Sequence, residues 1–467
     1  MRAHRVLIPA IVLLAACSPS GDGKAQTSLP PPTRTPPPNA ATMKMSFAPV
    51  VKKAAPAVVN ISSKRLVRQQ ADPFWELFGL GAPRNRVEGS LGSGVIVRPD
   101  GVIVTNNHVI EGGQEITVAL ADRREFPAKV LLADPRTDLA VLKIDVGKEK
   151  LPVLAINDTG DTQVGDLVLA IGDPFGVGQT VTNGIISALN RTADPSGDAA
   201  SAYIQTDAPI NPGNSGGALV DINGDLIGIN SFILSRSGTS SGVGFAIPGA
   251  LVRRVVETAV GGGHTLVRPW IGVRLQSVTP EMARSLGLAT PSGALVAEVW
   301  PGGSADRAGI RQGDVILSVS GQPVADAANV TYAFGTHKVG DTVSVGLRRD
   351  GKQQTVNVPA QAAPATPPRD EQTIGGRNPF TGATVVNLSP AVADALGVDT
   401  FAKGVMVTKV AGGPAAVIGL QPGDIVRAVN GRQIQTTADL VAVAAHRAPA
   451  WQVTIERGGR QITATFQ

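Results

Sequence analysis

Three polar residues stand out in a glycine-punctuated, largely apolar chain of 467 residues. Ser215 lies in Asn211-Pro-Gly-Asn-Ser-Gly-Gly217, His108 in Thr105-Asn-Asn-His-Val-Ile110, and Asp138 heads the apolar run Leu139 to Ile144. A serine hydroxyl is a poor nucleophile until a base takes its proton. The base in turn needs a carboxylate to fix its tautomer and stabilise its charged form. Glycines around Ser215 let the backbone aim the N–H groups of Gly213 and Ser215 at one point, where they would bind the oxyanion of a tetrahedral intermediate. Alone, each residue is ordinary: a turn serine, a strand-end histidine, a strand-opening aspartate. Together, in the order His, Asp, Ser, they are suited to acyl transfer.

Strands must position them. Val95-Ile-Val-Arg-Pro-Asp-Gly-Val-Ile-Val104, Ile116 to Leu120, Asp138 to Ile144, Asp166 to Ile171 and Leu219 to Ile229 are short β-rich runs between turn signals. Asp100-Gly101 and Asn223-Gly224 sit where hairpins need positive φ. Ten to twelve strands and one late helix, near Pro248 to Val260, predict an all-β barrel or a pair of barrels over about 46–250. The 54 glycines and 35 prolines, with 17% charged residues, suit short strands and tight turns better than a helical bundle. The net charge of +5 is scattered, without basic runs or interleaved aromatics, so no nucleic-acid partner is expected. One Cys and five His exclude a disulfide framework and a Cys-rich zinc site, and neither metal nor cofactor is expected. Gly213-Asn-Ser-Gly-Gly217 also fits the G-x-S-x-G nucleophile elbow of α/β-hydrolases. That elbow needs a helix directly after the serine, whereas Ala218 to Ile229 reads as two strands around an Asn-Gly turn. Asp221 to Asp225 lacks the spacing and terminal Glu of an EF-hand.

Thr105-Asn-Asn-His-Val, Asp138-Leu-Ala-Val-Leu-Lys, Gly176 to Arg191 and Gly213-Asn-Ser-Gly-Gly-Ala-Leu closely resemble the Do-like (HtrA/Deg) serine proteases. The resemblance covers nearly everything after residue 46. It implies a mainly β fold: a chymotrypsin-type double β-barrel protease domain over 46–262, followed by two α+β PDZ domains. It also implies His108, Asp138 and Ser215 as the triad, and Arg191 as the loop arginine that senses activation. Trimers or multiples of trimers that act on misfolded envelope proteins are implied as well. Asp72-Pro-Phe-Trp-Glu-Leu-Phe78 resembles the aromatic segment before the family's regulatory loop, which here is short and expected to end by Gly89. Asp173 stands where many members carry Asn. In chymotrypsin-type enzymes the residue six before the serine lies at the base of the specificity pocket. Here that is Pro209, followed by Ile210, so small to medium aliphatic side chains are expected before the cut.

The C-terminal third repeats itself at a constant offset of 110 positions. Trp270-Ile-Gly-Val273 is echoed by Phe380-Thr-Gly-Ala383, and Gly309-Ile-Arg-Gln-Gly-Asp-Val-Ile316 by Gly419-Leu-Gln-Pro-Gly-Asp-Ile-Val426. Such an offset means a duplicated domain and not a solenoid. Each copy resembles a PDZ domain, over 267–360 and 378–467, with the Pro/Ala-rich stretch 361–377 as linker. A glycine-containing loop before a strand aims N–H groups at a terminal carboxylate while the strand edge accepts the peptide. Trp270, Ile271, Gly272 and Val273 form the expected first carboxylate loop, and Phe380, Thr381, Gly382 and Ala383 the weaker second. The expected partners are unfolded polypeptides with exposed apolar C-termini.

The first segment reads as an address. Arg2, His4 and Arg5 precede an apolar run, Val6 to Ala16, too short to span a bilayer. Leu14-Ala-Ala-Cys17 resembles a bacterial lipoprotein signal over 1–17, with Cys17 acylated; an ordinary signal peptide with a chance Cys is the alternative. The resemblance also implies the outer membrane, because Ser18 and not Asp follows the cysteine. The Pro-rich stretch 18–45 is a tether. The competing functional class is a proteolytically silent holdase or PDZ scaffold.

Overall fold

The computed structural model describes residues 46–69, 84–174, 178–191, 202–211, 213–233 and 242–466. The signal, the tether, Cys17 and Asp72 to Phe78 lie outside them.

The first barrel closes through β1 (Val58–Gln69), β2 (Arg84–Arg98), β3 (Val102–Asn106), β4 (Glu115–Ala119), β5 (Glu125–Asp134) and β6 (Leu139–Ile144), in the order β1-β2-β3-β6-β5-β4. The second uses β7 (Leu167–Gly172), β8 (Thr180–Arg191), β9 (Tyr203–Thr206), β10 (Ala218–Asp221), β11 (Leu226–Ile233) and β12 (Gly244–Pro248), in the order β10-β11-β12-β9-β8-β7. Closure removes the free edges that an open antiparallel sheet exposes. Ile61, Val95, Ile103, Val118 and Leu142 fill the first barrel, each stabilising by about 1.5–3 kcal/mol. Tyr203, Phe232 and Phe245 pack together between strands of the second, with ring centroids 4.9–6.1 Å apart.

Glycine is required where strands cross closely. A Cβ on Gly94 would lie 2.7 Å from Ile61 Cδ1 and 2.9 Å from Ile103 Cγ2. The helix Gly249–Val260 buries Leu251, Val252, Val255, Val256 and Ala259. This is one apolar stripe at helical spacing, and it joins the same core cluster as the first barrel. The β1–β2 ladder pairs Gln69 with Arg84 and Lys64 with Gly89. The expected loop ending by Gly89 is therefore flanked by a long hairpin, in which Gly89 is a strand residue.

Two α+β units follow. In the first, β13 (Val273–Ser277), β14 (Ala294–Val299), β15 (Val315–Val319), β16 (Gln322–Pro323), β17 (Thr342–Arg349) and β18 (Lys352–Pro359) make a six-stranded sheet. The second has β20 (Ala383–Leu388), β21 (Gly404–Val410), β22 (Ile425–Val429), β23 (Arg432–Gln433), β24 (Trp451–Arg457) and β25 (Arg460–Phe466), with β19 (Gln372–Thr373) added at the edge. The duplication extends to buried ion pairs: Arg349 grips Asp314 and Arg457 grips Asp424, each with N–O distances of 2.6–2.7 Å. Both aspartates have only 1% of the side chain exposed, so each must be matched by its arginine.

The stretch 361–377 departs from the expected linker. Residues 372–373 are β19, and Ile374 is 4% exposed in the second unit's core. An apolar residue followed by Gly375-Gly376 folds inward because the adjoining sheet edge supplies both hydrogen bonds and apolar cover.

Candidate active site

Asp138 begins the construction. It follows β5 and the turn Pro135 to Thr137 and adopts φ +53°, a left-handed conformation that L residues rarely take. Its backbone is clamped there: its carbonyl accepts from Asn106 Nδ2 at 2.9 Å and from the Asn107 N–H at 3.0 Å. That rotation points the carboxylate at the short helix Asn107–Ile110. Asp138 Oδ1 accepts from the His108 backbone N–H at 3.0 Å, and His108 Nδ1 lies 2.9 and 2.8 Å from Oδ1 and Oδ2. The carboxylate thus holds both the main chain and the ring of His108. The ring is half-exposed, which leaves its far side open to a ligand.

Ser231, near the end of β11, was not foreseen. Its Oγ donates to Asp138 Oδ2 at 2.9 Å, and its carbonyl accepts from Ser215 Oγ at 2.9 Å. One residue therefore touches both ends of the predicted set. A hydroxyl has one proton to give, so in this conformation Ser215 gives it to Ser231 and must rotate about χ1 to reach His108.

The Ser215 loop is built on glycines with no room for a side chain. Gly213 has φ +96°, and its Cβ would lie 2.6 Å from Pro174 Cβ. Gly216 has φ +83°, and its Cβ would lie 2.1 Å from the Ser93 carbonyl. The N–H groups of Asn214, Gly216 and Gly217 donate to the Asn211, Asn230 and Asn214 carbonyls. Among the described residues no acceptor takes those of Gly213 or Ser215, the two expected to face an oxyanion.

Ser93 on β2 joins this loop to the other barrel. It is fully buried. Its N–H donates to the Ser215 carbonyl at 2.8 Å, and its Oγ donates to the Gly213 carbonyl at 2.6 Å and accepts from the Asp173 N–H at 2.8 Å. Its carbonyl accepts from Thr105 Oγ1 at 2.7 Å.

Pro209 is exposed and its carbonyl accepts from Thr182 Oγ1. Ile210 is 1% exposed, and a Cβ on Gly244 would lie 2.8 Å from its Cδ1. Of the two expected pocket residues, Ile210 is therefore the buried one and Pro209 the exposed one. Arg191 ends β8 at the surface, and the carbonyl of its neighbour Asn190 accepts from Asn329 Nδ2 at 2.9 Å. Asn329 belongs to the helix Ala327–Gly335 of the first α+β unit. Also anchored from outside is the Asp138 turn: Asp134 pairs with Arg268, and Arg136 pairs with Asp394 at 2.9 Å.

In the first expected carboxylate loop, Gly272 has φ +80°, and no described acceptor takes the N–H of Ile271 or Gly272. The second loop differs. Phe380 donates to Asn378 Oδ1, Thr381 to the Asn378 carbonyl, Gly382 to the Ile374 carbonyl and Ala383 to the Phe380 carbonyl. All four N–H groups are spent, and Phe380 is fully buried. Matching sequence spacing therefore gives two loops with unlike capacity for an anion.

Comparison with known proteins agrees with this architecture. Residues 92–229 match the trypsin-like peptidase domain, and 269–360 and 406–456 match PDZ domains. A "Probable periplasmic serine endoprotease DegP-like" of Marinomonas sp. (strain MWYL1) is 40% identical over 420 residues, 85% of this chain and 88% of that one. A protein of the same name from Ectopseudomonas mendocina (strain ymp) is 39% identical over 454 residues, covering 90% and 93%. The chain belongs to the DegP-like serine endoprotease family. Its fold is the chymotrypsin-type double barrel followed by PDZ domains, and it is a serine endopeptidase. Among solved structures, "HtrA-type protease AlgW with tripeptide" is 42% identical over 68% of this chain and 98% of that one, with TM-score 0.52. The same protease with a decapeptide gives 41% identity over 68% and 99%, with TM-score 0.51.

Asp173 carries a cost. It is buried, its Oδ1 has no described partner, and desolvation raises its pKa from the ordinary aspartate value, against a smaller lowering by the Gly178 N–H. A raised carboxyl pKa means the folded state binds more protons than the unfolded one. Stability then falls as pH rises from the ordinary aspartate pKa through the raised value. Asp173→Asn should raise the barrels' unfolding midpoint at pH 7 and leave it unchanged near pH 3. Thermal unfolding at the two pH values checks this, and equal shifts at both would refute the desolvation account.

Proposed function

We propose that the protein is an ATP-independent endopeptidase of the cell envelope that degrades misfolded or damaged proteins through an acyl-enzyme. In this reading Ser215 is the nucleophile, His108 the general base and then acid, and Asp138 the residue that fixes the His108 tautomer. The observation that carries it is Asp138 gripping His108 at its Nδ1 and backbone N–H while Ser231 bridges Asp138 to Ser215. With Nδ1 protonated and held, Nε2 is free to take the Ser215 proton. The Gly213 and Ser215 N–H groups then stabilise the oxyanion; losing one such donor typically costs about 10²–10³ in rate. The buried Ile210 favours small to medium aliphatic residues before the cut. A serine-directed fluorophosphonate should label Ser215, and Asp138→Asn should lower kcat about 10⁴-fold by favouring the wrong tautomer. Absence of labelling under activating conditions would leave a holdase or scaffold in place of the enzyme. Near-normal turnover in Asp138→Asn would remove Asp138 from the set.

The first PDZ domain is the receptor for free apolar C-termini, through Trp270 to Val273. The helix Ala327–Gly335 walls the groove beside β13 and also holds the Asn190 carbonyl next to Arg191. A ligand that shifts this helix therefore acts on the Arg191 loop, and the rotation of Ser215 away from Ser231 is the step it favours. Each 1.4 kcal/mol of preference for the active arrangement shifts the ratio about tenfold. A peptide with a free carboxylate should accelerate cleavage of a separate reporter, while its C-terminal amide should do nothing. Equal activation by acid and amide would defeat this coupling.

The relatives' printed names support a periplasmic location, and the family supports trimers or their multiples. Cys17, with Ser18 after it, supports a lipid anchor in the outer membrane. Cys17→Ser should move the protein from the membrane pellet to the soluble fraction; continued pelleting would disprove the anchor.

A further inference from the structure

Both PDZ domains carry the same parts 110 positions apart. The loop before β13 corresponds to that before β20, Ser277 to Asn387, and the helix Ala327–Gly335 to Thr437–Ala444. They differ at the sheet edge where a ligand strand would add. Beyond β13 no strand pairs among the described residues, whereas beyond β20 lies β19, antiparallel, with Gln372 opposite Val385 and Thr373 opposite Thr384.

The contacts of β19 and its flanks follow the logic of peptide capture by strand addition. The chain enters at the far end of β20, where the Pro368 and Arg369 carbonyls accept from Asn387 Nδ2 and N–H at 2.9 and 2.8 Å. Thr437 Oγ1, at the start of the helix, donates to Asp370 Oδ2, and the Thr437 N–H donates to Asn387 Oδ1. At the near end the Ile374 N–H donates to the Ala383 carbonyl at 2.9 Å. The Ile374 carbonyl accepts the Gly382 N–H at 3.0 Å, where a terminal carboxylate would take it. The Ile374 side chain is 4% exposed and shares a core with Phe380, Leu440 and Ala444.

We propose that the second PDZ domain is filled by its own chain. Residues 369–374 are an internal ligand, with Ile374 in the place of a C-terminal apolar residue and its carbonyl in the place of the carboxylate. The groove's ligand class is then an extended peptide of the type Asp-Glu-Gln-Thr-Ile with a free carboxylate. It is admitted in trans only when the strap 369–374 leaves. A tethered ligand competes at an effective concentration of about millimolar. A free peptide's apparent affinity falls by the fraction of time that the groove stands open. The inference does not depend on the catalytic reading.

The test uses the full chain with Ser215→Ala, so that the probe is not cut, and Cys17→Ser. A photoactivatable Asp-Glu-Gln-Thr-Ile peptide is cross-linked and its attachment mapped by mass. Asp370→Ala with Ile374→Ala should increase labelling of 380–388 and 437–444 at least tenfold over the strapped chain. Should that pair not fold, Asp370→Ala alone, which removes the Thr437 contact and keeps Ile374, should raise labelling in the same direction. Thr373 and Thr384 are opposed, with Oγ1 atoms 3.1 Å apart, so T373C/T384C places two thiols within disulfide reach. Oxidised, this variant should give no labelling there; reduced, labelling should return. The proposal is overturned if the strapped chain labels as strongly as the loosened one. Labelling that persists in the oxidised lock, or a folded loosened chain that gains none, overturns it equally.

Discussion

The arrangement depends on Ser93. Its backbone and hydroxyl are fully buried at the seam between barrels, and four hydrogen bonds tie β2 to the Ser215 loop, to Asp173 and to Thr105. His108 and Asp138 belong to the first barrel and Ser215 to the second, so their separation is set by how the barrels meet. Apolar packing alone holds two surfaces together without fixing their register closely. Short hydrogen bonds at a buried seam fix it, because a slip would leave buried donors unsatisfied at about 1–3 kcal/mol each. Gly216, with no room for a Cβ beside the Ser93 carbonyl, is the matching constraint from the other side.

Around this seam, support reaches the predicted triad from several directions. Asp138 is held by its own strained backbone, by Asn106 and Asn107, and by Ser231. Its turn is also gripped by Arg268 and by Asp394 in the second PDZ domain. That domain's Phe401 packs against Trp270 and Trp300, and its Asp399 pairs with Arg274 on β13. The second PDZ domain therefore acts here as a packing body against the first domain and the Asp138 turn, a role consistent with a groove that is already filled.

That His108, Asp138 and Ser215 belong together was legible in the sequence, because acyl transfer demands particular residue types in particular local company and glycines around a serine are conspicuous. Seven of the twelve barrel strands (β2, β3, β4, β6, β7, β10 and β11) and the late helix were legible from apolar runs and turn dipeptides. Ser93 and Ser231 were not, since a buried serine in a strand leaves no periodic or compositional trace; only the Gly92-Ser93-Gly94 interruption of an apolar strand hints at close approach. The linker was misjudged for a related reason. Its Pro/Ala content suggested open chain, while its last residues take structure from the β20 edge, which only folding brings alongside. The repeat likewise showed a second loop weakened only by Thr381 and Ala383, because residue spacing records where N–H groups lie and not whether they are already engaged.

Dividing the reactive groups between two barrels has a consequence for the chain's early life. With the roles proposed for His108 and Ser215, a molecule that has closed only its first barrel holds a base with no nucleophile, and one that has closed only its second holds a nucleophile with no base. Hydrolytic power thus arises at docking, after both halves have buried their own backbones. A protease assembled in this way is least able to cut while it is itself most open to being cut.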